Sequence, residues 1–248
     1  MKGSQKVVCV TAYDASTARI AEEAGVDLIL VGDSLGNVVL GYESTLPVTL
    51  EEMLHHTRAV ARTTTRALVI GDMPFGSYQA SLEDAMRAAA AFLKAGAHGV
   101  KLEGAYPELV REMVRAGIPV MGHVGMTPQS VHAFGGFRVQ GKGAAGDQVA
   151  DAARGLADAG SFSLVLELVP AALAARITSE VACPTIGIGA GAGCDGQIQV
   201  FHDLLGLSPV TLKHAKTYVE GQRLLADGLR AYADEVREGE FPGEEHSF

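Results

Sequence analysis

Eight short runs rich in β-branched residues recur along the chain, and helix-like stretches separate most of them. The runs are Val7 to Thr11, Leu28 to Val31, Ala67 to Gly71, Gly99 to Leu102, Pro119 to His123, Leu164 to Leu168, Thr185 to Ile188 and Gln197 to Phe201. Between them lie Ala15 to Glu23, Leu50 to Arg62, Leu82 to Lys94, Pro107 to Arg115, Gln148 to Ala159 and Ala171 to Ser179, each with helical spacing of apolar residues. Strands that alternate with helices need crossover connections, and crossovers make a parallel sheet. Eight strands within about 200 residues, with no break in composition, fit a (β/α)8 TIM barrel better than an open doubly wound sheet. The chain reads as a single α/β domain over residues 1–248.

Local chemistry marks several boundaries. Thr49-Leu50-Glu51-Glu52 and Ser81-Leu82-Glu83-Asp84 have capping-box spacing, the second with Asp in place of Glu. Gly25, Gly96 and Gly117 each follow a helical stretch and precede a strand, as the left-handed residue that closes a helix does. After the last strand, Val210 to Arg237 reads as further helix and Phe241 to Phe248 as surface coil.

Charge and composition exclude several partners. There are 20 Lys and Arg against 29 Asp and Glu, a formal net charge of −9, which is the wrong sign for a phosphate-binding surface. Aromatic residues make up 6% and Trp is absent, leaving few flat side chains for stacking bases or anchoring in a bilayer interface. Neither nucleic acid nor membrane is expected. Three cysteines, Cys9, Cys183 and Cys194, cannot all pair within the chain and show no Cys-x-x-Cys spacing. With only Val7 to Val10 as an apolar run near the start, a cytoplasmic location is expected.

In a parallel barrel the C-terminal strand ends converge on the face that carries the site. Here those ends read Gly32-Asp33-Ser34, Gly71-Asp72, Lys101-Leu102-Glu103, Gly122-His123 and Leu166-Glu167. A single acid after a strand is ordinarily a cap or turn residue. Four of five successive strands ending in an acid, joined by a Lys and a His, gather too many like charges to stand alone. All-oxygen ligands at such a cluster favour Mg²⁺ or a similar hard divalent cation. Lys101 and Glu103 are two apart on one strand and so point to the same side, where the lysine either pairs with an acid or anchors an anionic substrate.

Two glycine-rich segments need separate readings. Gly187 to Gly193 fits a loose dinucleotide-binding pattern, but it leads into Asp195-Gly196 and another strand instead of a helix, so a close backbone approach or a plain turn is expected. Gly125 to Gly146 is longer than a typical strand-to-helix loop and reads as a lid or binding loop.

The motifs Thr11-Ala12-Tyr13-Asp14, Gly32-Asp33-Ser34, Thr45-Leu46-Pro47-Val48-Thr49, Gly122-His123-Val124-Gly125, Thr127-Pro128-Gln129-Ser130 and Gly187-Ile188-Gly189-Ala190-Gly191 occur in this order. Together they resemble the ketopantoate hydroxymethyltransferase family over nearly the whole chain. The resemblance implies a Mg²⁺-dependent barrel of the phosphoenolpyruvate/pyruvate type, assembled as a homodecamer and acting in pantothenate biosynthesis. It implies Asp33, Asp72 and Glu103 as metal ligands, and Asp33, Ser34, Asp72, Lys101 and His123 around a 2-keto acid. Glu167 corresponds to the family's proton acceptor. The implied reaction removes the C3 proton of 3-methyl-2-oxobutanoate, and the enolate attacks the methylene carbon of the co-substrate 5,10-methylenetetrahydrofolate, giving 2-dehydropantoate.

The chain departs from the family pattern in starting almost at its first strand, without the usual preceding helical segment, and in carrying His132 and Phe137 where Asn and Tyr are common. Two other functions use the same frame. A metal-dependent carbon-carbon lyase of the same superfamily would often use a loop cysteine, and Gly125 to Gly146 has none. A catalytically silent binding protein would be expected to lack some of the acids.

Overall fold

The computed structural model describes residues 2–208, 210 and 212–248. The eight runs are its strands: β1 Val7–Thr11, β2 Leu28–Val31, β3 Leu68–Asp72, β4 Gly99–Glu103, β5 Val120–Gly125, β6 Ser163–Glu167, β7 Thr185–Ile188 and β8 Gly196–Gln199. Each pairs in parallel with the next and β8 returns to β1, so the sheet closes in chain order and leaves no unpaired edge. The helices are α1 Ala15–Glu23, α2 Leu35–Val38, α3 Leu50–Ala61, α4 Leu82–Lys94, α5 Pro107–Arg115, α6 Val131–Phe134, α7 Ala145–Asp158, α8 Ala171–Glu180, α9 Phe201–Leu204 and α10 Gly221–Glu238. A 3₁₀ turn, Pro128–Ser130, precedes α6.

Alternation along each strand sorts its residues between barrel interior and helix layer. Val7, Cys9, Leu28, Leu30, Ile70, Met121, Val165, Ile186 and Ile198 form one buried apolar cluster. The next residue in the same period-two series is polar on three strands, Asp72 after Ile70, His123 after Met121 and Glu167 after Val165, and on β4 the series reads Gly99, Lys101, Glu103. The interior therefore changes from hydrocarbon to charge in one step toward the C-terminal strand ends. At the opposite ends, the Lys2 ammonium donates to Thr178 O and Cys183 O at 2.7 and 3.1 Å and to Asp195 at 3.0 Å, so the chain's first residues tie that face.

Helix ends follow local chemistry closely. Thr49 and Glu52 make both halves of a capping box, whereas Ser81 accepts from Asp84 N–H without the reciprocal bond to its own N–H. Asp is one methylene shorter than Glu, and its carboxylate instead accepts from the Ser81 hydroxyl at 2.7 Å. The glycine run after β7 enters no helix. Its backbone passes close over α8, where a Cβ on Gly191 would fall 2.6 Å from that of Ala171.

Contacts cluster into two compact units, one running to Phe201 and one from His202 to Phe248. In the second unit the helix expected from Val210 begins only at Gly221. Tyr218 N–H donates to Leu204 O at 2.8 Å and Gly221 N–H to Leu205 O at 2.9 Å, so these two residues bond outside helical spacing, and residue 211 of the expected span lies outside the described residues. A Cβ at Gly221 would lie 2.3 Å from Leu205 O, so that approach requires glycine. The helix that follows exposes Leu225, Leu229, Tyr232 and Val236, spaced as one stripe. Among the described residues no helix is long and apolar enough to cross a membrane.

Candidate active site

Parallel register brings the strand-end residues into one layer. Asp72 lies opposite Lys101, Glu103 opposite His123, and Gly125 opposite Glu167. Asp33, just beyond β2, joins them by donating its backbone N–H to Asp72 Oδ2 at 3.1 Å. Asp33, Asp72, Lys101, Glu103 and His123 are all buried.

Lys101 lies between two carboxylates, with Nζ 2.7 Å from Asp72 Oδ1 and 3.3 Å from Glu103 Oε1. Burial alone would strip its charge, but Asp72, Glu103 and Asp33 outweigh that and raise its pKa. Glu103 is held down at about 2: burial opposes ionisation, and Lys101, His123 and the Gln129 N–H overcome it. Asp33 goes the other way. Burial, then repulsion from Asp72 and Glu103, raises its carboxyl well above the ordinary range.

His123 links this cluster to Glu167. Its Nδ1 stands 3.5 Å from Glu103 Oε1 and its Nε2 3.4 Å from Glu167 Oε2. Burial pushes the Glu167 carboxyl up to about 7, with the His123 charge opposing and Glu103 adding to the rise. Among the described residues the ion pairs of Lys101 are with Asp72 and Glu103, so Glu167 does not serve as its counter-ion. Ser34 is half-buried at the start of α2, and its hydroxyl lies 2.9 Å from the Tyr13 hydroxyl.

All seven residues singled out in the sequence thus lie at this face, and the structure adds two more. Gln129, in the 3₁₀ turn of the long loop, donates from Nε2 to Asp33 Oδ2 at 3.0 Å and from its backbone N–H to Glu103 Oε2 at 3.0 Å. Tyr78, in the loop after β3, meets the Glu103 backbone at 3.0 and 3.1 Å and Gln129 Oε1 at 2.7 Å. Thr127-Pro128-Gln129-Ser130 was a visible motif, but nothing local in the sequence pointed to Tyr78.

Three buried carboxyl groups share one ammonium, the repulsion among them raises Asp33, and every acidic donor is a hard oxygen, which is the chemistry a divalent cation such as Mg²⁺ takes. Among the described residues no three His, Cys, Asp or Glu side chains converge as a ready ligand set, because the Lys101 ammonium fills the space between Asp72 and Glu103. The donor chemistry fits the cation.

The long loop is anchored on both sides of this cluster. Gln129 ties its first part to Asp33 and Glu103, and Gln140 N–H donates to Leu168 O at 2.9 Å, directly after Glu167. Leu168 has φ of 45°, a non-glycine residue in left-handed conformation, directly after β6 ends in Glu167.

The sequence pattern of the ketopantoate hydroxymethyltransferase family matches residues 1–244. The 3-methyl-2-oxobutanoate hydroxymethyltransferase of Carboxydothermus hydrogenoformans is 56% identical, covering 100% of this chain and 91% of its own. That of Thermotoga maritima is 54% identical, covering 100% and 93%. Among solved structures, a phosphonopyruvate hydrolase in complex with oxalate and Mg²⁺ superposes with a TM-score of 0.62 at 12% identity, covering 97% of this chain and 88% of that one. A 2,3-dimethylmalate lyase of the PEP mutase/isocitrate lyase superfamily superposes at 0.60 with 15% identity, covering 98% and 87%. At these identities the likeness shows the barrel fold alone.

Proposed function

The chain belongs to the ketopantoate hydroxymethyltransferase family, and from that premise we propose that it transfers a hydroxymethyl group to 3-methyl-2-oxobutanoate with Glu167 as the base. It is a one-carbon transferase of pantothenate biosynthesis. The observation that carries the role of Glu167 is its setting: a half-buried carboxyl with its pKa raised to about 7, at the same face as Asp72, Lys101 and Glu103 and paired with no lysine or arginine among the described residues. A base tuned near neutrality accepts a carbon-bound proton most effectively at physiological pH.

The residues divide the work. Asp33, Asp72 and Glu103 would hold a divalent cation, Mg²⁺ by our reading, and a bound cation supplies Lewis-acid stabilisation of negative charge developing on the keto acid's oxygens. Lys101 and the Ser34 hydroxyl hold the keto acid's carboxylate and ketone, and His123 lines the space between them and Glu167. Glu167 takes the C3 proton, and the C3–H electron pair moves into the C2–C3 bond as the ketone oxygen becomes an enolate. As one carbon-nitrogen bond of 5,10-methylenetetrahydrofolate opens, the enolate carbon bonds to the methylene carbon, and the nitrogen released takes the proton that Glu167 removed. Water then displaces the second nitrogen, giving its oxygen to the hydroxyl and a proton to that nitrogen, and 2-dehydropantoate and tetrahydrofolate leave.

A lyase with a cysteine acid finds no support at this site. Cys9 is buried in the apolar cluster with its thiol pushed up to about 12, chiefly by burial, and Cys194 is also buried. The reading extends to a cytoplasmic homodecamer acting as one barrel domain over 1–248. Formation of 2-dehydropantoate from 3-methyl-2-oxobutanoate and methylenetetrahydrofolate, abolished by EDTA and restored by Mg²⁺, tests the activity; absence of product under saturating substrates would overturn it.

A further inference from the structure

We propose that Gln129 is a positioning residue for the carboxylate cluster, coupling the root of the long loop to two of the side chains that would hold the cation. The inference rests on the reading of Asp33, Asp72 and Glu103 given above and adds a residue to it. Gln129 is buried at 5% exposure although it lies on a loop, and a glutamine is ordinarily exposed there.

Its whole polar inventory is in use. The two N–H groups of Nε2 meet Asp33 Oδ2 at 3.0 Å and Met73 O at 2.9 Å. Oε1 faces the Tyr78 hydroxyl at 2.7 Å and Gln79 Nε2 at 3.1 Å. Both neighbours of Nε2 are acceptors and both neighbours of Oε1 can donate, so the amide has one orientation that satisfies all four positions. The backbone N–H adds a fifth bond, to Glu103 Oε2 at 3.0 Å. Gln129 thus takes one oxygen of Asp33, just beyond β2, and one of Glu103, at the end of β4, and leaves the other oxygen of each to other partners. Of these, Glu103 Oε1 meets Lys101.

Tyr78 completes the link. The Glu103 N–H donates to its hydroxyl at 3.1 Å, leaving the hydroxyl proton for Gln129 Oε1 or Glu103 O. The loop cannot leave this face without releasing both carboxylates, and the carboxylates cannot rotate freely while the loop is seated. Groups that orient ligands in this way commonly change metal affinity about 10- to 100-fold when removed.

The test uses the full chain and Mn²⁺ as the probe, with binding followed by calorimetry and by the paramagnetic signal of the free ion. Gln129→Met keeps the length and removes every polar contact of the side chain; it is expected to weaken Mn²⁺ about tenfold or more while circular dichroism stays native. Tyr78→Phe keeps the packed ring and is expected to weaken Mn²⁺ by a smaller factor. Combining the two should cost less than the product of the single effects, since both act through one contact. Wild-type Mn²⁺ affinity in Gln129→Met overturns the proposal, as does a lowered melting temperature with affinity unchanged, which marks a purely structural role. Asp72→Asn run alongside separates the two readings. If it loses Mn²⁺ while Gln129→Met does not, only the positioning role fails; if wild type binds no Mn²⁺, the cation site itself fails and the proposal with it.

Discussion

At the scale of single residues, the site is ordered by which carboxyl group receives which donor. Asp72 and Glu103 share Lys101, Asp33 accepts from the Gln129 amide, and the ion-pair partner of Glu167 among the described residues is His123. Glu167 thus reaches the groups that would hold the cation through His123, with no lysine or arginine partner of its own among the described residues. Glu167→Gln should retain keto-acid and metal binding yet lose C3 proton exchange with D₂O by about 10²–10⁴-fold, the usual worth of a positioned base. Near-normal exchange at saturation would remove Glu167 from that role.

Glu167 also makes a stability prediction with a definite sign. Its carboxyl is raised from an ordinary 4.5 to about 7 on folding, so the native state holds the proton more tightly than the unfolded chain. That contribution is fully present below about pH 4.5 and is lost as pH rises through about 7. Glu167→Gln, which cannot ionise, should therefore be more stable than wild type at pH 8, by roughly 3 kcal/mol at most, and the difference should shrink toward pH 5. Denaturant melts at the two pH values measure it, and a gap that grows on acidification would contradict the assignment. Over the same range, exchange by wild type should rise with pH as the base ionises.

At the scale of elements, packing on the outside of the barrel controls what the inside can hold. Gly71, on β3 next to Asp72, lies so close to α4 that a Cβ there would fall 2.3 Å from the Phe92 ring. Gly71→Ala should cost about 1–3 kcal/mol by overpacking. It should also weaken Mn²⁺ binding, because β3 can yield only by shifting Asp72. Chemical denaturation and Mn²⁺ titration of one preparation would check both, and a variant as stable as wild type would show that α4 moves freely. The two helix caps give a cleaner contrast, since Thr49 has both halves of its box and Ser81 only one. Thr49→Ala should lose about 1 kcal/mol and Ser81→Ala less.

For the whole molecule, the interior gathers acids whose mutual repulsion a bound cation would relieve, so cation binding and folding stability should be linked. Mg²⁺ should raise the melting temperature of wild type and leave Asp72→Asn unmoved. The asparagine is the better variant because its oxygen still accepts the Asp33 N–H. An equal Mg²⁺-induced rise in both would exclude Asp72 as a ligand. The α10 stripe of Leu225, Leu229, Tyr232 and Val236 leaves apolar surface in water that self-association would cover. Light scattering should give a mass several times 25.8 kDa, and a mass near 25.8 kDa at working concentrations would exclude the homodecamer.

The sequence by itself determined the alternation of strands and helices, the acid at the end of four strands, and the shared side of Lys101 and Glu103. These depend on hydrogen bonds and side-chain periods spanning a few residues, which neighbouring residue types dictate. It did not determine that Lys101 prefers Asp72 to Glu167, which follows from the β3 to β4 register placing Asp72 beside it. Nor did it show Tyr78 and Gln129, 51 residues apart, meeting at 2.7 Å over Glu103. The delayed start of α10 was equally hidden, since helical periodicity from Val210 says nothing of the return contacts to Leu204 and Leu205. Such pairings are fixed only when closure of the barrel brings distant segments together, because their energies depend on separations that no local pattern encodes.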